Sequence, residues 1–129
     1  MNNPTPDFLL FLPHKVADVI LELNEHVTER LLQRDINAFD WHVADLWRAA
    51  VYYAVGKTPA RALPYYHRLL EWTEADAQAH SDVLCATAHV FALEGQYEDA
   101  SRMLQIAIKK ARSPGRIPFF IAKVAHAQG

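Results

Sequence analysis

Apart from its carboxylates, this chain offers one cysteine and seven histidines for nucleophilic, basic or metal-binding work: Cys85, and His14, His26, His42, His67, His80, His89 and His126. Metal sites draw such residues into short fixed spacings such as HExxH or CxxC. None of these histidines falls in one, and Cys85 has no second cysteine. Cys85 and His89 lie four apart, so a helix would place them on one face. A thiol beside an imidazole is the arrangement of an activated nucleophile. No orienting Asp or Asn is expected to accompany the pair, and no oxyanion-hole motif is present. GxxxxGK[ST], GxGxxG and GxSxG are absent as well. The expectation is a protein without catalysis, cofactor or metal, whose histidines are scattered over surface and groove.

The elements that carry these residues read as helices. The chain has 129 residues, of which 51% are hydrophobic. That fits one domain able to bury about two-thirds of its unfolded surface. Only 4 Gly and 7 Pro are present, poor stock for an all-β fold with its frequent turns. Formal net charge is -2, but its distribution is uneven. Residues 1–40 hold Asp7, Asp18, Glu22, Glu25, Glu29, Asp35 and Asp40 against Lys15, Arg30 and Arg34. Residues 100–129 hold Arg102, Lys109, Lys110, Arg112, Arg116 and Lys123 and no acid. Such asymmetry marks either an acidic partner or two ends that pair with each other or with a second copy. No nucleic-acid reading motif accompanies the basic third, so nucleic acid is not expected as a partner. The lone cysteine excludes an internal disulfide and points to a reducing compartment. The apolar run FLLFLP at 8–13 is too short to span a bilayer and lacks the flanks of a signal peptide. A cytoplasmic protein with no membrane insertion is expected.

Along the chain, residues 1–13 read as an irregular apolar arm, and 14–129 as one helical domain. Val16, Val19, Ile20, Leu23, Val27, Leu31 and Leu32 recur at helical spacing and predict one amphipathic helix over 14–34. The stretch RDINAFD reads as a connection. A weak internal repeat follows. With Ser81 as first residue, Ala88 is eighth, Gly95 fifteenth, Ala100 twentieth and Ala107 twenty-seventh. Small residues at these places let two helices approach, and Gly95 supplies the turn. Thirty-four residues after Ala88 and Gly95 stand Ala122 and Gly129. Earlier, Ala49 and Gly56 are again seven apart, with Ala62 and Tyr66 in the following helix. Pro64 is tolerated there only in the first turn. The reading gives repeats at about 42–76 and 81–114 and a half repeat at 115–129.

This pattern resembles the tetratricopeptide repeat, whose period is about 34 residues. The segments ALPYYHRLLEW, ALEGQYEDA and PGRIPFFIAKVAHAQG, in that order, look like the class II chaperones of bacterial type III secretion. Gly95-Gln96-Tyr97 and Arg116-Ile117-Pro118-Phe119 carry that likeness, the latter placing a proline in the first turn of a helix. The resemblance implies an all-α chaperone of the bacterial cytoplasm. It would hold a secreted translocator or needle-type protein before export, gripping an extended segment on a concave surface.

The first helix of each repeat lines the concave side of such a stack. That places Leu46, Ala50 and Tyr53, then Cys85, His89 and Ala92, then Phe119, Lys123 and His126 in a peptide-binding groove. The aromatic cluster Trp41, Trp47, Tyr52, Tyr53, Tyr65, Tyr66 and Trp72 is expected to pack repeat one against the N-terminal helix. The last helix, with Ile117, Phe119, Phe120, Ile121, Val124 and Ala125, is expected to need a cover: the N-terminal helix, a homodimer, or a heterodimer with another subunit. The arm's FLLFL is a candidate placeholder in the groove. The competing reading is a non-catalytic adaptor subunit of a larger complex.

Overall fold

The computed structural model describes residues 12–129. The apolar arm expected at 1–13 lies almost wholly outside the described residues, as does the idea that it fills a groove. The described chain is all-helical: α1 (His14–Glu22), α2 (Glu25–Leu32), α3 (Val43–Ala54), α4 (Leu63–Trp72), α5 (Ala77–Leu93), α6 (Tyr97–Lys110) and α7 (Ile117–Gln128). No strand occurs among the described residues.

The single helix expected over 14–34 is two helices. Leu23 turns to an extended backbone, and Asn24 then caps α2, its side chain accepting from the Val27 N–H at 3.1 Å. Thr28 donates its hydroxyl to the Asn24 carbonyl at 2.8 Å, which secures the same turn. An Asn with its side chain bonded to the third residue ahead starts a helix rather than continuing one.

The connection Arg34–Asp40 is an ordered loop. Asp35 accepts from the Asn37 N–H at 3.0 Å, and Trp41 Nε1 donates to the Asp35 carbonyl at 2.8 Å. Arg68 of α4 donates to the carbonyls of Ile36 and Ala38, the latter at 2.7 Å, and so ties this loop to α4. From α3 onward each helix packs on the next. Short turns between packed partners reverse the chain. Pro64 is the second residue of α4, where its missing N–H costs no helical bond.

Gly95 ends α5 with φ +76°. Its N–H reaches the Ala92 carbonyl at 3.1 Å, and the Gln96 N–H reaches that of Phe91 at 2.8 Å. That is the paired bonding of a Schellman turn, which needs a left-handed residue. Gly129 also has positive φ, at 94°; Gly56 does not, so the three spaced glycines are not equivalent.

Two apolar clusters form the core. The first joins Val16 and Val19 of α1, Trp41, α3 through Leu46, Trp47 and Ala50, α4 through Tyr66 and Leu69, and Val83 and Val90 of α5. Trp47 meets Tyr66 edge-on with centroids 5.7 Å apart, and Trp41 meets Tyr65 in the same way at 5.9 Å. The expected aromatic packing is therefore present around Trp41, Trp47, Tyr65 and Tyr66, whereas Trp72 is 40% exposed. The second cluster joins Ala88 and Ala92 of α5, Ala100 and Leu104 of α6, and Phe120 and Val124 of α7. Helix α5 belongs to both clusters, so it is buried around most of its circumference along the mainly apolar run VLCATAHVFAL. Ser81 adds a buried cross-link, donating its hydroxyl to the Ala107 carbonyl of α6 at 2.8 Å.

Candidate functional site

Helix α1 packs across α3 and α5, not only against its neighbours in sequence. Those two helices carry the first six residues assigned to a groove. Leu46 and Ala50 are fully buried in the core that Val16 and Val19 join. His89 and Ala92 are buried in or beside the second cluster. These four are not open to a peptide. Tyr53 is half-buried and stacks on Tyr65 at 6.0 Å, beside a shallow depression with Arg34 and Arg61. Phe119 and His126 are exposed on α7, and the Lys123 ammonium lies over the Phe119 ring at 5.4 Å. The nine residues thus divide among core, edge and outer surface, and do not form one surface.

Cys85 lines a separate opening. A pocket of about 220 Å³ lies where the start of α1 meets α5 and α7. One wall is Leu12, Pro13, His14 and Lys15. The floor is Cys85, Leu104, Ile117 and Phe120, and the rim carries Gln78, Asp82 and Arg116. Local structure fixes each part. The Asp76 side chain caps α5 by accepting from the Ala79 N–H at 3.1 Å, which orients the turn bearing Gln78 and Asp82. Gln78 donates to Asp82 at 3.1 Å and accepts from the Arg112 N–H at 2.9 Å, so it bridges α5 to the loop entering α7. Pro118 sits in the first turn of α7 and sets the helix that presents Ile117 and Phe120.

Burial sets the protonation of the groups at this pocket. Burial, then the nearby Asp82 carboxylate, push the Cys85 thiol up to about 12, against a bond from Ser81 that lowers it. At neutral pH this sulfur stays protonated and is a poor nucleophile. His89, four residues on, is buried edge-on to Phe120 with centroids 6.3 Å apart. Burial is also the main cause that raises the Asp82 carboxyl above its ordinary value, opposed by Gln78 and by the charges of Lys15 and His14. No group of His, Cys, Asp or Glu among the described residues has the geometry to hold a metal ion. No helix among them is long and apolar enough to cross a membrane.

A larger hollow of about 590 Å³ lies elsewhere, between α4, the Ile36 loop, the C-terminal half of α5 and the middle of α6, lined by Leu63, Leu70, Phe91 and Met103 with Arg68 and Glu71. Sequence spacing did not point to it, because Ile36 is placed there by the Arg68 clamp across some thirty residues. Compared with known proteins, the chain matches no family model, no curated protein and no solved structure.

Proposed function

We propose that this chain is a protein-binding helical stack, a chaperone of the type III secretion kind. In this reading it takes an apolar side chain of an extended client segment into the pocket between α1, α5 and α7. The client is an apolar secretion substrate or apparatus subunit, held in the bacterial cytoplasm before export. The observation that carries the reading is the pocket's make-up: an apolar floor of Leu104, Ile117 and Phe120 under a rim of Gln78, Asp82 and Arg116. Apolar floors take side chains while polar rims orient a backbone, which is how extended peptides are recognised. The tetratricopeptide-like register supports it further. Ala62 and Ala100 fall at one repeat position and Tyr66 and Leu104 at another, and all four are fully buried. Arg116 and Ile117, from the Arg116-Ile117-Pro118-Phe119 segment that resembles that chaperone class, line one side of the pocket.

The test is affinity capture of the full chain from its native cells, with mass spectrometry of what comes with it. One apolar exported protein at near equal amount is expected. It should be lost with Ile117→Glu, which charges the floor, and kept with Ile106→Glu, an exposed change on α6 away from the pocket. Circular dichroism checks that both variants fold. Recovery of only ribosomal or DNA-bound proteins, or equal capture by both variants, overturns the reading.

A further inference from the structure

Helix α7 packs on α6, and Phe120 and Val124 bury its inner side. Its outer side carries Pro118, Phe119, Ala122 and Ala125, all exposed, with Phe119 at 54%. Ala122 stands at the register position of Ala88, yet Ala88 is buried against α6 while Ala122 faces solvent. Lys123 lies over Phe119 in this stripe, and the segment that carries the stripe is basic. Lys109, Arg112 and Arg116 are exposed and Lys123 is half-buried, and residues 100–129 hold six bases and no acid. The other ninety-nine residues hold seven bases against fifteen acids. The matching surface lies on α1 and α2. There Leu21 is 87% exposed, with Asp18 and Glu22 on the same face of α1 and Glu25 and Glu29 exposed on α2.

We propose that the outer face of α7 docks the acidic α1–α2 face of a second copy of this chain, head to tail. The exposed Leu21 of one copy sets against the apolar stripe of Phe119 and Ala122 of the next. The acids around Leu21 meet Lys123 beside that stripe and the other bases of residues 100–129. Each copy carries one face of each kind, so the contact is heterologous and propagates to a ring or a filament. Charge complementarity sets the register and speeds the encounter, and the apolar stripe supplies the buried area. This inference is independent of any client in the α1–α5–α7 pocket, because none of Leu21, Glu22, Arg112 and Lys123 lines that pocket.

The experiment is sedimentation velocity of the full chain over a concentration series. It is run at about 0.02 M and about 0.5 M salt, between which the screening length falls from about 20 Å to about 4 Å. Mass that grows with concentration at low salt and returns to the monomer at high salt is expected. The double variants Arg112→Glu/Lys123→Glu and Asp18→Lys/Glu22→Lys should each associate at least about tenfold more weakly than wild type. Mixing the two restores association, because each then meets a surface of opposite sign. A monomer at both salts, or association untouched by either double variant, overturns the proposal. So does a mixture that stays as weakly associated as its parts.

Discussion

Asp82 and Tyr66 both carry polar groups into protected surroundings, with different consequences. The Asp82 carboxyl is raised above its ordinary value of 3.8, chiefly by burial. As pH rises, the unfolded chain ionises first and the folded chain keeps the proton longer. Stability therefore falls as pH climbs from 3.8 to the higher folded value, and stays at the lower level above it. Asp82→Asn keeps an acceptor for Gln78 and removes the titration. It is expected to stabilise the protein at pH 7 relative to wild type and to flatten that acid window, as urea midpoints across pH 3 to 7 would report. An unchanged pH profile would show that Asp82 does not titrate differently on folding. Tyr66 is fully buried, and its hydroxyl has no hydrogen-bond partner among the described residues. Burial pushes that phenol well above its usual value. Leaving a hydroxyl unsatisfied costs about 1–3 kcal/mol, so Tyr66→Phe should be neutral or stabilising in the same assay. A clear loss would mean that a water completes the site. At this scale the sequence exposed part of the site. The spacing put Cys85 and His89 on one face of a helix, and of the two only Cys85 lines the pocket. His89 was legible only as its neighbour on the helix, since Phe120, which covers it, comes from another helix.

Helix boundaries were legible where chemistry is local. Gly95 after an apolar run announced the α5–α6 turn, and its left-handed backbone with two capping bonds is the reason. Gly95→Ala adds a Cβ with nothing within 4 Å of it, so the cost comes from the backbone conformation alone. The expected loss is about 1 kcal/mol with no change of fold, measured by thermal or urea denaturation. A much larger loss would point to a packing role for the turn that open space around the Cβ does not suggest. The break between α1 and α2 was not legible from periodicity, because Val19, Ile20, Leu23 and Val27 keep helical spacing straight across it. Only the Asn24 cap reveals it. Asp76→Ala removes the equivalent cap of α5 and should cost about 1 kcal/mol. Amide exchange should then quicken in the first turn of α5 before anywhere else; uniform quickening would mean that this cap acts globally.

The whole molecule is held by α5, which contributes Val83 and Val90 to one core and Ala88 and Ala92 to the other. Leu104→Ala empties a fully buried site in the second core and is expected to cost about 2–5 kcal/mol. Because α5 is shared, unfolding should remain one transition, with exchange rising in α4 as well as in α6. Two separate transitions would show that the cores melt independently. The all-α class followed from composition and spacing, which are properties of short stretches. The placement of α1 over α3 and α5 did not, because it joins segments some seventy residues apart and leaves no trace in any window of the sequence. Val16 and Val19 join the same core as Leu46 and Ala50 through that contact. It also has a consequence in time. During synthesis α1 leaves the ribosome before α5, and the helix that completes its shelter follows several seconds later at ordinary elongation rates. Until then Val16 and Val19 have only the helices made before α5 for company, and this apolar face of α1 is open to aggregation.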